Sequence, residues 1–187
     1  MDIDDVLLET EEKMTKTEQV LLHEFAGVRT GKASAGLVEN IMVEVYGGSQ
    51  MRIRELAGIT TPEPRMILLQ PWDISTLHPI EKAIQKSNLG INPQVDKKAL
   101  RIILPELSTE RRQEFTKIVR KMTEDARVAI RHVRRDALEV LKKLGKQGGF
   151  TEDEEKHAEK EAQKLTDQFI AKLDQHLAAK EKEIMTV

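Results

Sequence analysis

The chain has 187 residues, with 30 Lys or Arg against 32 Asp or Glu, no cysteine and 3% aromatic residues. That length allows one or two domains, and the missing cysteines exclude disulfides, thiol catalysis and Cys-ligated metals. No apolar run is long enough to span a bilayer and the acidic amino terminus does not read as a signal peptide, so a cytoplasmic protein without a membrane partner is expected.

The first element predicted is a helix from about Asp2 to Val28. Ile3, Leu7, Thr10, Met14, Thr17, Leu21 and Val28 approximate a three-four seam, with Phe25 beside it. Asp2, Asp4 and Asp5 stand where the helix dipole favours anions, and Gly27 and Gly31 flank the end.

The middle of the chain has another character. Pro62, Pro64, Pro71, Pro79 and Pro93 all fall there. Strand-like segments run Ile41–Tyr46, Met51–Leu56, Met66–Gln70 and Ala99–Leu104, and Pro79 to Lys86 reads as a short helix. Met66 to Leu69 read as core of this part. Residues 30–105 are therefore expected to form an inserted α/β domain. Its two connections, at Thr30 and Gly31 and at Leu104 and Pro105, would lie side by side as a hinge.

A second long helix is predicted after Pro105, capped by Ser108 or Thr109 and running to about Leu144. Its apolar stripe is read as Phe115, Ile118, Met122, Ala126, Ala129, Val133, Ala137, Val140 and Leu144. Gly145, Gly148 and Gly149 break it. Thr151 and Glu154 have the spacing of a capping box for a third helix reaching about Ile184, with a seam of Ala158, Ala162, Leu165, Phe169, Leu173 and His176. Three helices with one apolar stripe each are stable only together, so residues 1–29 and 106–187 are expected to form a three-helix bundle. The fold class is α+β: a long three-helix bundle with a small inserted α/β domain.

Charge is distributed unevenly. Residues 1–28 carry net −6, residues 29–104 +3, residues 105–150 +5 and residues 151–187 −4. Between Lys117 and Arg135 stand seven bases against two acids, Glu124 and Asp125. On a helix, Lys117, Arg120, Arg127, Arg131 and Arg134 fall within a wedge roughly 100° wide, away from the apolar stripe. A local basic row on a chain that is not basic overall points to a polyanion, and Arg suits phosphate because its fork makes paired contacts. The competing account of each Arg is an intrahelical pair such as Glu124 with Arg127.

Sites for other chemistry are not apparent. Gly31 and Lys32 do not complete a phosphate loop, because Gly27 is one residue too close and Ala33 stands where Ser or Thr is needed. His23, His78, His132, His157 and His176 have no paired metal spacing, and His176 reads as a core or boundary residue. No cofactor and no enzyme activity are expected.

Several strings resemble the ribosome recycling factor family. They are Val28 to Ser34, Val43 to Gly47, Pro71-Trp72-Asp73, Ile80 to Ile84 followed by Ser87 to Gly90, Glu110-Arg111-Arg112, and above all Ala126 to Ala137. The resemblance covers the chain end to end. Lys32 where Arg is common, Val45 for a second aromatic and His132 for a usual Asn are mild departures. The resemblance implies an L-shaped two-domain architecture whose bundle contacts large-subunit ribosomal RNA. It implies that the chain separates the subunits of post-termination ribosomes with elongation factor G and GTP, the GTPase being the partner's. On that reading Arg29, Lys32, Arg111, Arg112 and Arg135 extend the cationic row toward the hinge, and a monomer is expected. The rival reading is a protein-binding helical-bundle chaperone cofactor, against which the cationic face weighs.

Overall fold

A computed structural model describes residues 2–186. The elements in chain order are α1 (Ile3–Ala26), β1 (Met42–Val45), β2 (Ser49–Arg52), α2 (Ile53–Leu56), β3 (Ala57–Glu63), β4 (Met66–Pro71), α3 (Leu77–Lys86), β5 (Gln94–Asp96), β6 (Ala99–Ile103), α4 (Thr109–Lys146) and α5 (Glu152–Met185). The α+β class expected from the sequence is the one observed. The chain divides into two compact units. One comprises residues up to Phe25 with Thr116–Lys182, and the other comprises Ala26–Phe115 with the residues from Glu183 on.

The first unit is a bundle of α1, α4 and α5. Local hydrogen bonds set its helix ends. The Arg111 N–H donates to Ser108 Oγ at 3.2 Å, so Ser108 caps α4. Thr151 N–H donates to Glu154 Oε2 at 2.7 Å while Glu154 N–H donates to Thr151 Oγ1 at 3.3 Å, the reciprocal box at the start of α5. The Thr151 backbone N–H first, and then the Thr151 hydroxyl, which donates to the same oxygen at 2.9 Å, hold the Glu154 carboxyl below the usual range.

Buried threonines supply part of the packed seams. Thr10, Thr123 and Thr166 each donate their hydroxyl to the carbonyl four residues earlier, on Val6, Val119 and Ala162, at 2.7–2.8 Å. The hydroxyl is satisfied inside its own helix and the methyl faces the neighbours. On α1, Val6 is buried rather than Leu7.

The apolar stripe of α4 differs from the one expected. Burial peaks at Val119, Thr123, Ala126, Ile130, Ala137 and Leu141, and Ile118 is 43% exposed. The packed centre lies roughly 60° round the helix from the stripe read in the sequence. The reason is that α4 packs against two helices at once. Its buried surface is centred between them and needs a wider stripe than one seam supplies. At one end of the bundle Val6, Ala137, Leu141 and Ala158 close the core, with Phe150 packed over them.

The second unit holds a two-stranded sheet, β1–β2, and a four-stranded sheet in the order β3-β4-β6-β5, all antiparallel. Its core gathers alternate residues of the strands, Val43, Val45, Ile67, Leu69, Leu100 and Ile102, under Leu77, Ile80 and Ile84 of α3. Met51–Leu56 is not one strand. The chain leaves β2 at Arg52 and turns into the four-residue α2, where the Arg52 N–H donates to Glu55 Oε2 at 2.8 Å. β3 and β5 were not foreseen. β3 carries Gly58 and Pro62, and its pairing with β4 slips between Thr60 and Glu63. Both are edge strands whose outer residues face solvent, so neither shows the apolar alternation of a core strand.

Candidate nucleic-acid interface

The cationic wedge on α4 begins at the margin of the buried stripe, on the side occupied by α5. Arg127 is 22% exposed, and Arg134 is likewise half-buried. Arg127 Nε donates to Asp174 Oδ1 at 2.9 Å, its Nη2 donates to the same oxygen, and its Nη1 donates to Glu124 Oε2 at 3.0 Å. Asp174 first and Glu124 second raise its affinity for the proton. Arg120 Nε donates to Glu181 Oε1, another carboxylate of α5. Arg131 shares Glu124, donating from Nη1 to Oε1 at 3.2 Å. With Arg127 foremost, the two guanidinium groups hold the Glu124 carboxyl below the usual range.

Arg134 meets an amide instead. Its Nη1 donates to Gln163 Oε1 at 2.7 Å, and Gln163 Nε2 donates onward to Asp167 Oδ1 at 2.8 Å. Lys117, Lys121 and Arg135 are exposed, and among the described residues no carboxylate lies within 4 Å of any of them. The uniformly cationic outer face expected from the sequence is therefore corrected. The flank against α5 is largely neutralised, and the intrahelical pair Glu124–Arg127 is present. Unbalanced charge concentrates at Lys117, Lys121, Arg134 and Arg135. Lys121 is not in the five-residue wedge read from the sequence; it stands four residues after Lys117, about 40° beyond it round the helix, and is exposed.

The remaining expected residues lie in the second unit. Arg29 Nη2 donates to the Pro105 carbonyl at 2.6 Å, and burial and then the charge of Arg111 lower its affinity for the proton. Arg111 pairs with Glu114 at 3.1 Å and lies 5.9 Å from the centre of the Phe115 ring. Arg112 is drawn inside, 9% exposed, donating to the carbonyls of Leu107 at 3.3 Å and Met185 at 3.1 Å. Lys32 is exposed, and its backbone N–H is held by Thr30 Oγ1 at 3.3 Å. Leu104 is buried and donates its N–H to the Arg65 carbonyl at 2.7 Å. Gly31 lies so close to the carboxy-terminal segment that a Cβ there would stand 2.6 Å from the Thr186 carbonyl oxygen. Arg29 and Pro105 are thus joined directly, while Arg112 and Gly31 instead meet the last residues of the chain.

Among the described residues no group of three His, Cys, Asp or Glu is placed to hold a metal ion, and no helix is long and apolar enough to cross a membrane. His176 is half-buried with Nε2 2.7 Å from Glu18 Oε1, a boundary position between α1 and α5. What the surface offers is fixed cations on a rigid rod, suited to phosphate contacts that position a partner without reading sequence.

Comparison with known proteins agrees across the length of the chain. The family model described as "Ribosome recycling factor" matches residues 21–185. The ribosome-recycling factor of Caldicellulosiruptor bescii is 51% identical over 177 residues, covering 95% of this chain and 96% of the relative. That of Carboxydothermus hydrogenoformans is 49% identical over 185 residues, covering 99% and 100%. A solution structure of the ribosome recycling factor aligns with a TM-score of 0.78 at 42% identity, covering 100% of this chain and 99% of the other. A second structure aligns with a TM-score of 0.69 at 45% identity and covers both chains fully. It describes the T. thermophilus ribosome recycling factor and the E. coli elongation factor G bound to the E. coli post-termination complex.

Proposed function

This chain belongs to the ribosome recycling factor family, and from that premise we propose that it binds post-termination ribosomes and, with elongation factor G and GTP, promotes separation of their subunits for a new round of translation. It acts in the cytoplasm as a monomer and is not itself an enzyme. The reaction it serves is powered by the partner's GTPase.

The bundle docks on large-subunit ribosomal RNA through the exposed side of α4. Lys117, Lys121 and Arg135 are free to meet phosphate at once, and Arg134 carries a charge balanced only by an amide. Arg120 and Arg131 join by exchanging carboxylate for phosphate. Their ion pairs are solvent-exposed, and such pairs contribute only about 0–1 kcal/mol, so a phosphodiester competes with them. Arg127 orients the row more than it grips. Lys32, Arg29 and Arg111 offer further phosphate contacts on the second unit. Thr30 with Gly31 and Leu104 with Pro105 act as the hinge between residues 30–105 and the remainder of the chain.

The observation that carries this reading is family identity over nearly the whole chain joined to a cluster of unpaired cations on one helix face. Co-sedimentation with large ribosomal subunits across a salt series tests it. Binding is expected to fall linearly in log–log form. Lys117→Ala and Arg135→Ala are each expected to reduce the slope by roughly 0.7–0.9, because each removes one phosphate contact. Unchanged slopes in both variants would remove α4 from the interface.

A further inference from the structure

β1 alternates in burial, with Val43 and Val45 inward and Met42 and Glu44 outward, and Tyr46 continues the outward set. α3 lies beside this strand and turns His78, Lys82 and Lys86 to solvent at four-residue steps. Between strand and helix runs a groove of about 720 Å³. Its direction follows from its ends. The Tyr46 hydroxyl donates to Asp73 Oδ2 at 2.8 Å, just ahead of α3, whereas Ile41 and Met42 share the groove with Ser87, just after it. Strand and helix are therefore antiparallel, and the helix wall from His78 to Lys86 is roughly 12 Å long.

The groove is chemically divided. Its helix side carries the ammonium groups of Lys82 and Lys86, and among the described residues no carboxylate lies within 4 Å of either. Half-buried Ile41, Pro79 and Ala83 give it an apolar bed. Its hairpin side presents Glu44 and Gln50, which stand opposite each other in the β1–β2 register. Just past the end of β1, next to the residues that line the groove, Tyr46 is 62% exposed in the left-handed region, φ 49°, and Asp73 holds its hydroxyl. A bulky residue rarely adopts that backbone, and here it leads into the Gly47-Gly48 turn with the residue largely exposed.

We propose that this groove binds a short stretch of unpaired RNA. The backbone lies along Lys82 and Lys86, a base stacks on Tyr46, and base edges turn toward Glu44 and Gln50. A single strand has anions on one side and amino-bearing edges on the other, and the groove matches both. An acidic peptide would gain from the lysines but meet Glu44. A duplex would hide its base edges from the hairpin side and its ring faces from Tyr46. Because Glu44 accepts hydrogen bonds from exocyclic amines, cytosine and adenine are preferred over uracil. This site is separate from the cations of α4 and does not depend on the ribosome assignment.

The test is titration of the full chain with RNA hexamers of C, A or U. Anisotropy of a labelled strand and emission of Trp72 give two readouts. Trp72 is the one tryptophan in the sequence, 71% exposed and adjacent to Asp73. C and A hexamers are expected to bind several-fold tighter than U and to change Trp72 emission. The Lys82→Ala, Lys86→Ala double variant should lose tenfold or more, with the salt slope reduced by about 1.4 for two contacts. Lys86→Glu alone should also weaken binding, which guards against a folding defect confined to the double variant, and Tyr46→Ala should lose about fivefold or more. Glu44→Gln should narrow the C-over-U preference by weakening binding of the C hexamer. Unchanged affinity and slope in the lysine variants would overturn the proposal. So would equal binding of a duplex, or equal competition by hexaglutamate, the latter pointing to a protein partner instead.

Discussion

Arg127 of α4 donates two guanidinium N–H groups to a single oxygen of Asp174 on α5, and a third to Glu124 one turn earlier on its own helix. This residue, the central cation of the row, is thus the one most firmly committed inside the bundle. Arg127→Ala strips Asp174 of its partner, leaves Glu124 with Arg131 alone, and removes a mostly buried stem. It is expected to cost about 1 kcal/mol, lowering the thermal midpoint by about 2–4 °C. Arg135→Ala should leave the midpoint unchanged and weaken ribosome co-sedimentation. Thermal scans and pelleting of the two variants separate the roles. Equal ribosome-binding losses with equal midpoints would show that the pairing is irrelevant.

The displaced stripe of α4 can be checked by truncation. Ile130 is fully buried, and Ile130→Ala should cost about 2–5 kcal/mol through lost transfer energy and a cavity. Ile118 is 43% exposed, and Ile118→Ala should stay within about 0.5 kcal/mol. Urea unfolding followed by helical ellipticity measures both. Comparable costs at the two sites would restore the stripe first read from spacing.

Tyr46 is the one tyrosine of the sequence, so phenolate absorbance reports it alone. The hydrogen bond to Asp73 raises its pKa above the ordinary value of 10.0, since the bond exists only while the phenol keeps its proton. The wild-type midpoint should therefore lie above that of Asp73→Asn, which offers a neutral acceptor. The linked stability is present below pH 10.0 and is lost as pH rises through the folded pKa. Asp73 is held below the ordinary 3.8, first by the Ser75 hydroxyl and also by Tyr46, so its contribution is present above that value and lost in acid. Coincident alkaline midpoints in the two proteins would contradict the bond.

Gly31 is required by a close approach rather than by its backbone angle. An added Cβ would stand 2.6 Å from the Thr186 carbonyl oxygen, closer than atoms pack, so one segment must move. Gly31→Ala should lower the thermal midpoint of the full chain by several degrees and speed carboxypeptidase release of the last residues. The same substitution in a chain ending at Met185 should cost less, a non-additivity that marks the contact. Additive effects would place the cost elsewhere.

The helix caps were legible because they are local chemistry. Ser108 and the Thr151–Glu154 box satisfy N–H groups three residues away, and a short string of sequence contains the whole interaction. The insert core was legible in part at Met66 to Leu69: Ile67 and Leu69 alternate inward, while Met66 and Leu68 are only half-buried. β3 and β5 escaped because an edge strand is defined by the partner on its one paired side, β4 or β6, not by its own pattern. The role of Arg112 escaped as well. Its neighbours in sequence suggest a surface cation, and the carbonyls of Leu107 and of Met185, the latter 73 residues away, hold it inside.

By itself the order of residues determined that there are three long helices, where they begin, which class of fold they build with the sheets, and that five cations share one wedge of α4. Each follows from a repeat of 3.6 residues or from bonds within a turn. Only the tertiary structure decided which of those cations are free. Asp174 and Glu181 reach Arg127 and Arg120 across 47 and 61 residues of chain. Whether they do so depends on how α5 is rotated against α4. Side chains on both helices set that rotation jointly when they bury their apolar surface, so no window of sequence contains it.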